Sequence, residues 1–214
     1  MNIKRLKSKF FINKRLPRHC NDFNVGRGGF SSDFNNNRLK RIAANLNLEY
    51  AGIWNLGSTW YSTPSQTRIV SYLTLFGMAY LSAEEFSQPE REGKLDTLLW
   101  PEWHYGVLLL YGQSLALNHL IGSNQLNVNK LEDLIDFPSG NVESIFKKLH
   151  IHVFHGDDMF SKFVFKVGRY DNMTVSEADS TKVKFYALKM ALEGKKTPET
   201  SLVEQLSIEA NKKN

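Results

Sequence analysis

Residues 63–86 read TPSQTRIVSYLTLFGMAYLSAEEF, and this stretch decides the fold class. Thr63 suits an N-cap, Pro64 suits the first helical position, and Gln66 three residues on completes a capping box. Ile69, Val70, Leu73, Phe76 and Tyr80 then recur at helical spacing on one face. The other face carries Leu75, Met78 and Ala79, so a central, largely buried helix is expected to about Phe86.

Toward the C-terminus, residues 87–102 read as a polar loop closed by Trp100-Pro101-Glu102-Trp103. A second buried helix is expected over about His104–Ile121. Shorter ones follow near Asn129–Asp136 and Asn141–Leu149, split by Pro138-Ser139-Gly140. The period then changes to two in His150-Ile151-His152-Val153 and in residues 162–167, KFVFKV, with Gly156-Asp157-Asp158 between them. That pattern predicts a β-hairpin at about 149–167. Ser176 and Glu177 open a helix to about Glu193, stopped by Gly194, with Val183, Tyr186, Ala187, Met190 and Ala191 as its apolar stripe. Thr197-Pro198 starts a last helix with Leu202 and Leu206 facing inward. The expected fold is mainly α: a helical domain over 37–214 with one β-hairpin and a disordered basic N-terminal arm over 1–36.

The charge distribution supports that division. Residues 1–42 hold eleven basic groups and two acids, a net charge of +9, whereas the whole chain carries +5. A basic segment ahead of a mildly acidic body calls for a polyanionic partner. Within the segment, Gly26-Arg27-Gly28-Gly29-Phe30 resembles one unit of an RGG box, an RNA-binding element in which Gly gives flexibility, Arg meets phosphate and Phe stacks on bases. Phe10, Phe11, Phe23 and Phe34 lie among the same charges.

Hydrophobic residues make up 42% of the chain, enough for a real core. Cys20 is the only cysteine, so no intramolecular disulfide forms, as fits a reducing compartment. Ile69–Ala83 is uncharged for fifteen residues, short of the roughly 20 of a spanning helix. Trp103–Asn129 also lacks Asp, Glu, Lys and Arg, but its His104, Gln113, Asn118, His119, Asn124 and Asn127 suit a protein core better than lipid. No apolar run follows the basic N-terminus as in a secretory signal. No membrane insertion is expected, and the location is expected to be intracellular: cytoplasmic, nucleoid or nuclear, with mitochondrial import as the alternative.

The sharpest local pattern is residues 39–56, LKRIAANLNLEYAGIWNL. Ile42 and Leu46 fall on the inner face of a first helix, and Ala43 supplies the small side chain needed where two helices cross. Asn47 occupies a turn position that tolerates positive φ. Leu48 plugs the turn, and Ile53 and Leu56 face inward from a second helix. The pattern resembles the helix-turn-helix of bacterial and phage DNA-binding regulators. The resemblance implies that Tyr50, Ala51, Trp54 and Asn55 lie on or near the major-groove side, with Asn55 on adenine edges and Arg38, Lys40 and Arg41 on phosphates. Gly52 and Glu49 depart from the pattern.

A second constellation is His150-x-His152-x-x-His155-Gly156-Asp157-Asp158. On a strand, His150 and His152 share a face. The run is similar to the HxHxDH signature of metallo-β-lactamase-type hydrolases, but Phe154 stands where that family has Asp, and no His follows His155. The polar side of an edge strand is the expected reading, without metal or other cofactor. No P-loop, GxGxxG, GxSxG, HExxH or paired CxxC occurs, and the chain is not expected to be an enzyme.

These readings converge on nucleic-acid binding, with DNA slightly ahead of RNA. The expected contact residues are Lys4, Arg5, Lys7, Lys9, Lys14, Arg15, Arg18, Arg27, Arg38, Lys40, Arg41, Tyr50, Trp54 and Asn55. A regulator or accessory factor is expected first. A homo-oligomeric packaging, coat-like or ribonucleoprotein component is the second expectation, and a protein-interaction module or organelle-targeted subunit without nucleic acid the third.

Overall fold

The computed structural model describes residues 22–28, 32–92, 103–153 and 160–196. The chain forms two compact units that divide between Glu132 and Asp133.

The first unit begins with strand β1 (Phe23–Arg27), helix α1 (Asp33–Asn45), strand β2 (Leu56–Tyr61) and helix α2 (Pro64–Glu84). A short helix α3 (Gln88–Arg91), helix α4 (Leu108–Gly122) and strand β3 (Val128–Lys130) follow. The sheet order is β2-β1-β3, with β1 antiparallel to β2 and parallel to β3. A bulge between Val25 and Arg27 breaks the β1–β2 register, and Gly28 beside it lies so close to β2 that a Cβ would meet the Leu56 carbonyl oxygen.

Each helix boundary has a local cause. Ser32 caps α1 by accepting from the Asn35 N–H. At the other end Asn47 takes φ 54°, the Asn47 N–H donates to the Ala44 carbonyl and the Leu48 N–H to the Ala43 carbonyl. That is the paired bonding of a Schellman cap with Asn in the left-handed position. Helix α2 carries the expected capping box: the Gln66 N–H donates to Thr63 Oγ1, and the Thr63 N–H donates to Gln66 Oε1.

The buried side of α2 is Gln66, Val70, Thr74, Gly77 and Leu81, so of the expected stripe Val70 alone is fully buried. Ile69, Leu73, Phe76 and Tyr80 are partly buried at the flanks of that seam. The reason is close approach to α4: a Cβ on Gly77 would lie 3.2 Å from the Gly112 Cα, so small residues take the centre. One core cluster gathers Leu39, Ile42, Ala43 and Leu46 of α1 with Leu81, Phe86, Trp103, Tyr111 and Leu115. The other packs Phe23, Val25 and Leu56 of the sheet on Val70, Leu117 and Leu120.

The second unit holds strands β4 (Phe137–Pro138) and β5 (Ile151–His152), helix α5 (Lys162–Lys166) and helix α6 (Val183–Lys196). Strands β4 and β5 pair in parallel. Helix α6 buries Val183, Leu188 and Leu192, and Leu188 and Leu192 form a small core with Phe160.

Several expectations are corrected here. Of the described residues 52% are helical and 13% are in strands, in two small sheets, so the fold is mixed α/β rather than mainly α with one hairpin. The hairpin at about 149–167 does not form. β5 finds its partner in β4, and residues 162–166, KFVFK, coil into a helix that turns Phe165 toward Phe160. A two-residue period over so few positions does not outweigh packing. The expected disordered arm contains an ordered strand, because Phe23 and Val25 fill the core under the sheet. Residues 1–21 lie outside the described residues. The stripe of α6 is rotated: Leu188 and Leu192 are inside and Met190 is exposed. The last helix expected from Thr197 and its Leu202 and Leu206 also lies outside the described residues.

Candidate functional site

The helix-turn-helix expectation meets the structure first. Its first helix, α1, and its left-handed Asn47 are present. Its second helix is not, and residues 48–55 run without regular secondary structure. Gly52 at φ 76° and Asn55 at φ 56° place two left-handed residues where an α-helix needs right-handed ones.

What holds this segment instead is a set of polar side chains from α4. Asn118 accepts from the Ile53 N–H at 2.9 Å and donates to the Ile53 carbonyl at 2.7 Å, as a neighbouring strand would. His119 Nδ1 accepts from the Glu49 N–H at 3.1 Å, and Gln113 donates to the Gly57 carbonyl at 2.5 Å. Gly122 lets the segment pass close to the helix end, since a Cβ there would lie 2.9 Å from Glu49 Cβ. These bonds satisfy backbone groups that a helix would otherwise satisfy. The polar residues of the uncharged stretch 103–129 therefore act as a strap for residues 49–57.

Among the described residues, the expected contact residues have different settings. Arg38 and Arg41 converge on Glu85, whose side chain is 8% exposed: Arg38 Nε lies 3.6 Å and Arg41 Nη2 2.5 Å from its Oε2. The Arg38 guanidinium also sits 4.8 Å from the Trp103 ring centroid, at one side of a stack in which Trp103 lies 5.2 Å from Phe86 and 4.4 Å from Tyr111. Burial pushes the Tyr111 hydroxyl up to about 12, partly offset by the bond it accepts from the His104 N–H. Arg38 thus serves the core of the first unit, whereas Arg41, its side chain 50% exposed, reaches Glu85 from the surface. Lys40 is exposed on α1, and Arg27 is exposed at the end of β1.

Tyr50 packs partly buried against the α1 core, and burial raises its hydroxyl above the usual value. Trp54 is 51% exposed. Asn55 turns its Oδ1 into the protein, where it meets no hydrogen-bond partner among the described residues. Lys4, Arg5, Lys7, Lys9, Lys14, Arg15 and Arg18 lie outside the described residues.

The histidine constellation is organised by a residue that sequence reading missed. Asp136 precedes β4, is fully buried and takes φ 54°. Its Oδ1 lies 3.2 Å from His150 Nδ1 and 3.3 Å from His152 Nδ1. The expected shared face of His150 and His152 is therefore real. Parallel pairing creates it: the Phe137 N–H donates to the His150 carbonyl and the Ser139 N–H to the His152 carbonyl, bringing the β4 end beside both imidazoles. The only available sequence signal was Asp136 just ahead of Phe137-Pro138, hidden inside an expected helix. His155, Asp157 and Asp158 lie outside the described residues. Among the described residues no group of three or more His, Cys, Asp or Glu side chains could by itself hold a metal ion. Nor is any described helix long and apolar enough to cross a membrane.

Comparison with known proteins adds one relationship. A family described as a domain of unknown function, DUF7164, matches residues 6–214. Nothing matches among curated proteins or among solved structures.

Proposed function

We propose that the chain, which belongs to the DUF7164 family, is a nucleic-acid-binding protein whose affinity resides chiefly in its basic N-terminal segment. One observation carries this reading: residues 1–21 contain Lys4, Arg5, Lys7, Lys9, Lys14, Arg15 and Arg18 and no acid. A segment of that charge gains affinity by displacing counterions from phosphates, without regard to sequence.

The preference for duplex DNA rested on a groove-reading helix at 48–55, and that helix is absent. Arg38 and Arg41, its expected phosphate anchors, pair with Glu85. The reading therefore moves to sequence-tolerant work, as a self-assembling packaging or ribonucleoprotein component. A protein-interaction module is the second reading. It is favoured by three exposed apolar side chains of the second unit, Val142, Phe146 and Leu149, of which Phe146 reaches 82%.

The test is a salt titration of binding to duplex DNA of varied sequence and to single-stranded RNA. Because β1 begins at Phe23 and fills the core, the arm is probed by exchanging its seven cations for Gln, not by deleting residues 1–36. Binding that weakens steeply with salt and is lost in the exchanged variant supports the proposal. Absence of binding at low salt overturns it in favour of the interaction module. Sequence-dependent binding lost in Tyr50→Ala/Asn55→Ala would restore groove reading.

A further inference from the structure

We propose that His150 and His152 form a two-histidine chelate for a divalent transition-metal ion of the zinc type, oriented by the buried carboxylate of Asp136. The inference is independent of nucleic-acid binding. It starts from the position of the imidazoles. Residues two apart on an extended strand point to the same side, and the common 3.2–3.3 Å approach of both Nδ1 atoms to one oxygen confirms it. Their side chains are 39% and 36% exposed, while the Asp136 carboxyl is wholly buried.

That arrangement fixes the chemistry of each ring. A carboxylate only accepts hydrogen bonds, so each Nδ1 facing it carries the proton. In a neutral imidazole with Nδ1 protonated, Nε2 holds the lone pair that binds a metal. A carboxylate on the far nitrogen is also the usual outer partner of a metal-binding histidine; it sets the tautomer and the ring angle and strengthens the ligand.

The backbone supports the same reading. Asp136 holds a left-handed φ of 54°, which is uncommon for a residue with a side chain. The hydrogen bonds from Phe137 to His150 and from Ser139 to His152 lock β5 against it. Orientation is thus built into the strand pairing and is not left to flexible side chains. Among the described residues no third ligand of the His, Cys, Asp or Glu kind joins the two imidazoles.

The experiment titrates the full chain with Zn2+ by calorimetry and follows the histidine ring nitrogens by long-range 15N NMR. One saturable equivalent is expected, with the Nε2 resonances of His150 and His152 moving on zinc addition. His150→Ala and His152→Ala should each weaken binding at least about tenfold, and Asp136→Asn by about 10- to 100-fold. If Asp136→Asn does not fold, the tautomer read in the unchanged chain stands in for it: Nδ1–H on both rings supports the proposal, and Nε2–H on both overturns it. Zinc binding that is unchanged in a folded His150→Ala/His152→Ala variant would overturn the proposal, as would no saturable binding below millimolar zinc.

Discussion

Gly77 of α2 and Gly112 of α4 face each other at the crossing of the two longest described helices, with no room for a side chain on Gly112 and a tight fit for one on Gly77. A Cβ on Gly112 would lie 2.7 Å from the Thr74 carbonyl oxygen and 3.1 Å from the Met78 nitrogen. Those are backbone atoms and cannot swing aside. Gly112→Ala is therefore expected to lose about 1–3 kcal/mol to overpacking, more than Ala returns in helix propensity. Gly77→Ala, with its nearest contact at 3.2 Å, should cost less. Urea unfolding of the two variants would check the order.

Asn118 is the central strap of residues 49–57, exchanging two hydrogen bonds with Ile53 and donating to the Ser114 carbonyl. Asn118→Ala should destabilise the first unit by about 2–4 kcal/mol, since the Ile53 N–H and carbonyl lose partners in a partly buried site. The Ile53 amide should also lose hydrogen-exchange protection well before amides in α2 do.

His119 makes the same strap sensitive to pH. Burial lowers its proton affinity, with the nearby Glu49 carboxylate opposing that shift in part. Its Nδ1 accepts from the Glu49 N–H, so protonation at that atom breaks the bond. The folded value lies below the unfolded one near 6.5. The stabilising contribution is therefore present above pH 6.5 and is lost as pH falls through the folded value. The denaturation midpoint should drop on acidification below pH 6.5, and that drop should be smaller in His119→Gln.

Arg38 is expected to matter for stability and little for ligand binding. Arg38→Ala removes a guanidinium from the Trp103 face and from Glu85, leaving Arg41 as the remaining cation of that pair. A loss of about 1–3 kcal/mol is expected. On the proposed function, the salt dependence of nucleic-acid binding should stay as in the unaltered chain, because that reading places the term in residues 1–21.

Local signals settled much about this protein before any tertiary contact was known. The capping box at Thr63 and Gln66, the left-handed Asn47, the two long helices of the first unit and the shared face of His150 and His152 all follow from a few neighbouring residues. Such features depend on rotamers, backbone sterics and side-chain period, which the sequence displays directly. The basic character of residues 1–21 is of the same kind.

Other features of the fold depend on residues far apart in the chain. Residues 48–55 carry a helical-looking pattern, yet Asn118 and His119, some 65 to 70 positions on, hold their backbone in an irregular path. The parallel pairing of β4 with β5 unmade the expected hairpin and set Asp136 beside two imidazoles. Helix α2 places small residues at the centre of its buried side, because Gly112 lies opposite Gly77. In each case a short apolar or polar period was compatible with two structures, and the choice between them fell to long-range hydrogen bonding and close packing.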